Sequence, residues 1–73
     1  LFPPQVPRIT LVPTEVRRFA SGDQRCLAEV VERLEEALEG SDVAVYGDVE
    51  GMELGIVERR DGVWGFGPSM GGR

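Results

Sequence analysis

The chain has no histidine, no lysine, no asparagine and a single cysteine. Each absence removes some chemistry. Without histidine, no side chain has an ordinary pKa near neutrality. Without lysine there is neither a Schiff-base nucleophile nor the lysine of a phosphate loop. Cys26 alone can form neither an internal disulfide nor a cysteine-based zinc site. Small secreted domains usually lean on disulfides, so the expected home is a reducing, intracellular compartment. No apolar run approaches the roughly 20 residues of a membrane-spanning helix. Pro3, Pro4 and Pro7 break the opening segment where a signal peptide would have its apolar centre.

What is present suits one small globular domain: 73 residues, 41% apolar and 29% charged. Eight arginines face thirteen acids, for a net charge of −5. Nucleic-acid affinity rests on neutralising phosphates, so a chain this acidic is not expected to bind nucleic acid directly. The charge is uneven, with residues 1–21 at net +2 and residues 22–73 at net −7. The expected organisation is an extended proline-rich arm over residues 1–7, one domain over 8–67, and a flexible glycine-rich tail over 68–73.

The clearest pattern is helical. Leu27, Val30, Val31, Leu34 and Leu38 repeat as one apolar stripe, with Glu29, Glu32, Arg33 and Glu36 mostly opposite. Ser21 with Gln24 reads as a capping box, Asp23 as an alternative cap, and Gly40 as the left-handed residue past the end. A helix of about five turns follows. Ile9-Thr10-Leu11 reads as a short edge strand limited by Pro13, and Thr14 to Ala20 reads as extended.

After Gly40 the period becomes that of strands. Val43 to Tyr46 and Met52 to Glu58 flank Glu50-Gly51, read as a two-residue turn that sets Val45 opposite Ile56. Asp61-Gly62 marks a second hairpin. A two-residue loop there pairs Val57 with Phe66 and Arg59 with Trp64. A three-residue loop pairs Glu58 with Trp64 and Ile56 with Phe66, which puts both aromatics on the Val45–Ile56 side. The longer loop is preferred because it gives a thin core two large side chains.

The fold expected is therefore α+β: one helix packed on a three-stranded antiparallel meander, with an extra N-terminal edge strand around Ile9 (β-α-β-β-β). The expected core comprises Leu27, Val30, Val31, Leu34, Leu38, Val43, Val45, Val49, Met52, Leu54, Ile56, Trp64 and Phe66. The outer sheet face then shows Ala44, Tyr46, Gly55, Val57 and Val63, rimmed by Asp48, Glu53 and Arg59.

Candidate chemistry is sparse. Cys26, early in the helix beside Arg25, invites a reactive-thiolate reading, but no histidine can act as its base; a small half-buried apolar side chain is the plainer reading. Glu32, Glu35, Glu36 and Glu39 cluster on the helix as a solvated face or an acidic docking face, without a calcium-loop motif. Asp48, Glu50 and Glu53 lie around the first turn, where charges block unwanted strand pairing. The glycines after Gly62 lack the lysine and following helix of a phosphate loop. No catalytic residue, metal site or cofactor is expected, and no motif is specific enough to mark a family.

The functional expectation is a non-catalytic protein-interaction module: a small regulator or inhibitor, or the subunit-contact domain of a larger chain. It would bind a protein partner, or a second copy of itself, through Tyr46, Val57, Arg59 and Val63 on the outer sheet face, with Arg17 and Arg18 from the basic segment. One alternative is an acidic decoy that occupies a basic, nucleic-acid-binding site on another protein. Another is a fragment of an enzyme whose site is completed elsewhere.

Overall fold

The structure is a computed structural model that describes residues 6–69. Strand β1 (Arg8–Leu11) leads into helices α1 (Pro13–Ala20), α2 (Gln24–Arg33) and α3 (Glu35–Leu38), followed by strands β2 (Val43–Asp48), β3 (Glu53–Arg60) and β4 (Val63–Ser69). The strands form one sheet in the order β1-β2-β3-β4. Strands β2, β3 and β4 are the antiparallel meander, while β1 adds to β2 in parallel, Ile9 opposite Tyr46. The sheet is thus mixed and four-stranded, and the helices form the crossover between its two parallel strands.

Helix α1 occupies the segment read as extended. Pro13 is its first residue, where a missing N–H costs nothing and the fixed φ helps. The Glu15 carboxylate reaches back to accept from the Val12 backbone N–H at 3.2 Å. Phe19, the one buried residue of this helix, anchors it. Its ring meets Tyr46 edge-on at 4.9 Å and Phe66 at 5.2 Å.

The stripe helix begins at Asp23 rather than Ser21: Asp23 Oδ1 accepts from the Cys26 N–H at 3.1 Å. It is also interrupted. Leu34, at φ −108° and ψ 26°, separates α2 from α3. The like-charge pair Glu32–Glu36 spans this break and disfavours a continuous rod. Gly40 takes the expected left-handed conformation at φ +80°.

Both hairpin loops differ in length from expectation. In the first, Asp48 and Met52 pair through Asp48 N–H to Met52 C=O at 3.1 Å, leaving the three-residue loop Val49–Gly51. Asp48 Oδ1 accepts from the Glu50 and Met52 N–H groups, and Gly51 is left-handed at φ +96°. A register shift between Tyr46 and Gly47 then restores Val45 opposite Ile56, as expected. The second loop has two residues: Asp61 and Gly62 have φ of 54° and 79°, the paired positive values of a type I′ turn. Arg59 therefore faces Trp64 and Val57 faces Phe66.

The helices cover the sheet face expected to be outward. The buried core is Ile9, Leu11, Phe19, Cys26, Leu27, Val30, Leu38, Ala44 and Val57, with Val16, Val31, Leu34, Tyr46, Trp64 and Phe66 packed against it. Val49 and Met52, expected inside, are 60% and 64% exposed. Val43, Val45, Leu54 and Ile56 are only half-buried. The physical reason lies in the second turn. Its two-residue form puts Trp64 and Phe66 on the Val57 side, and Tyr46 joins them. These aromatic side chains, of about 150–250 Å² each, gain more from cover than the aliphatic set opposite.

The expected arm is described only from Val6 onward; the Pro7 carbonyl accepts from the Val45 N–H at 2.9 Å. Strand β4 continues past the expected domain end at Gly67 to Ser69. The rest of the arm and of the tail falls outside the described residues. No helix is long and apolar enough to cross a membrane among those residues.

Candidate functional site

A groove of about 880 Å³ lies between α2–α3 and the β3–β4 hairpin. Its apolar lining includes Ala28, Val31, Leu38, Val63 and Trp64. Glu32, Glu35, Glu36 and Glu39 line it from the helices, and all four are exposed. Among the described residues none of these carboxylates is paired with an arginine. The helical period makes most of the rim: Glu32, Glu35 and Glu36 fall on turns of α2 and α3 that look away from the core, Glu39 follows as the extended cap of α3, and Leu38 of the same segment is buried.

Arg59 sets the shape of the floor. Its Nη2 donates to Asp42 Oδ1 at 3.0 Å and its Nε to the same oxygen at 3.2 Å. The guanidinium carbon lies 5.6 Å from the centre of the Trp64 ring. The cation thus holds the face of the indole while its charge is engaged by Asp42.

The sequence-expected site residues separate into groups. Arg59 and Val63 line the groove, and Val63 is 68% exposed. Val57 is fully buried and Tyr46 half-buried under Phe19, so neither belongs to an open sheet face. Burial also raises the Tyr46 hydroxyl pKa. Arg18 Nε donates to Asp23 Oδ2 at 2.8 Å, which binds it to the start of α2. Arg17 is exposed at another hollow with Pro13, Val16 and Val49. Trp64, assigned to the core on sequence grounds, packs against it and also lines the groove. The signal for it was the Asp61-Gly62 turn, a strong two-residue hairpin pair.

Cys26 is 2% exposed, more deeply buried than expected, and burial pushes its thiol pKa up. That environment opposes a thiolate. Among the described residues no three histidine, cysteine, aspartate or glutamate side chains are grouped to hold a metal ion. Comparison with protein-family models, with curated proteins and with solved structures returned no match.

Proposed function

We propose that this chain is a non-catalytic protein-interaction module, a regulator or the subunit-contact domain of a larger chain, and that its contact surface is the groove between α2–α3 and the β3–β4 hairpin. The observation that carries the reading is the joining of a half-buried indole, fixed by Arg59, to a wall of exposed carboxylates that no arginine pairs among the described residues. Interfaces favour an aromatic and arginine centre inside a polar rim. The lack of histidine and lysine leaves little with which to do chemistry.

The test is affinity capture from the native source with three forms of the chain. Ala28→Arg places a long cation in the groove from an exposed helix position. It should abolish capture of the partner with the helical signal of the chain unchanged. Arg17→Ala, at the separate hollow, should leave capture intact. Partner retention by Ala28→Arg would contradict the groove assignment.

The exposed carboxylates also support the second reading, an acidic decoy for a basic nucleic-acid site. That mode depends on exposed charge, so its affinity should collapse between low and moderate salt. Binding anchored on Trp64 should persist.

A further inference from the structure

We propose that the groove and the free edge of β4 together accept an extended cationic segment of a partner protein as an added strand. This rests on the groove reading above and narrows the partner to one chemistry. Three features of the fold meet along β4.

The first is an open edge. β4 ends the sheet order, and no described strand pairs with its other side. Arg59 donates its backbone N–H to Asp42 at 2.8 Å, towards β2. Its partner Trp64 therefore occupies a non-hydrogen-bonded position of the β3–β4 ladder and turns its own N–H and C=O outward. The alternation repeats this at Phe66. Pro68 has no N–H to offer, so the usable edge is centred on Trp64 and Phe66.

The second feature is charge on one side. A strand laid along β4 would send alternate side chains towards the helices, where Glu32, Glu35, Glu36 and Glu39 stand. Arginine or lysine at those positions meets complementary charge; acidic residues meet repulsion.

The third is room on the other side. A shallow hollow of about 200 Å³ lies on the sheet face away from the helices, lined by Val63, Gly65 and the paired Glu58 and Arg60, while Ile56 fills the space above Gly67. A Cβ built on Gly65 would meet nothing within 4 Å, so the surface there is open. The intervening side chains of an added strand would fall into this hollow, which suits small apolar residues. The occupant is thus an alternating segment, cationic towards the helices and apolar towards Val63 and Gly65. Backbone pairing supplies the affinity and the alternation supplies the specificity.

The probe is a capped heptapeptide alternating arginine and valine, titrated into the isotopically labelled full chain and followed by nuclear magnetic resonance. Binding should shift the Gly65 amide and slow hydrogen exchange at the Trp64 and Phe66 amides. N-methylating the backbone on the pairing edge of the peptide should weaken binding roughly two- to tenfold per lost hydrogen bond. An isomer of the same composition, with its arginines contiguous, should bind less well. Shifts confined to α2–α3, with Trp64 and Phe66 exchanging as in the free chain, would overturn strand addition and leave a groove that binds by charge alone. Equal binding by the contiguous isomer, or no binding of the alternating peptide, also overturns it. Neither result bears on the capture experiment with Ala28→Arg, which judges the groove itself.

Discussion

Tyr46 lies across Gly55 on the neighbouring strand: a Cβ on Gly55 would stand 2.6 Å from the Tyr46 hydroxyl oxygen. This glycine lets the Tyr46 ring lie flat and meet Phe19. Gly55→Ala should therefore destabilise the fold by about 1–3 kcal/mol through overpacking. Gly65→Ala, whose Cβ meets open space, should stay within about 0.5 kcal/mol. Chemical denaturation of the two variants checks this; equal stabilities would contradict the packing described.

The choice of covered face has its own test. Leu27 is 1% exposed beneath the helix layer, whereas Met52 is 64% exposed. Leu27→Ala should cost about 2–5 kcal/mol. Met52→Gln should change stability by less than about 0.5 kcal/mol. A large loss at Met52 would restore the opposite face as the core.

Two carboxylates link stability to pH. The Asp23 pKa is lowered, first by the Cys26 N–H it accepts and then by Arg18; that of Glu15 is lowered chiefly by its hydrogen bond from Arg33. Groups with depressed folded values contribute stability above their ordinary values, 3.8 and 4.5 here, and lose it as pH falls through the folded ones. Asp23→Ala should lower the melting temperature at neutral pH, and its curve should converge on wild type in acid. Thermal melts from pH 7 down to about pH 2 span this window. A constant gap would remove the linkage.

Cys26 should resist iodoacetamide in the folded chain and react fully once denatured, because its thiol is buried and its pKa raised. Mass spectrometry of the alkylated protein reads both states. Rapid labelling of the native chain would contradict its placement in the core.

Much of the fold was legible in the sequence where one local signal stood alone. The Leu27-to-Leu38 stripe and the Gly40 terminus emerge from periodicity and a turn residue, whereas the Val45–Ile56 pairing holds only because the register shift at Tyr46/Gly47 offsets a first loop one residue longer than expected. The sheet face was not legible, because it depends on competition between sets of side chains. Val43, Val45, Leu54 and Ile56 alternate as cleanly as a core, yet the helices cover the face with Tyr46, Trp64 and Phe66, where Phe19 packs on Tyr46 and Phe66. Phe19 itself was hidden in a segment whose short apolar spacing fits either a helical turn or a strand, and the helix reading gains from Pro13 and Glu15. Of the expected site, Arg59 and Val63 remained together at the groove. Tyr46 and Val57 followed the covered face inward.

Trp64 is the only tryptophan in the chain and lines the groove, so its fluorescence reports directly on occupancy. The decisive measurement is a titration of the captured partner into the intact chain, following Trp64 emission at moderate salt. Emission should change saturably, and Ala28→Arg should abolish the change. Stoichiometric binding with unaltered Trp64 emission would show that the partner docks elsewhere.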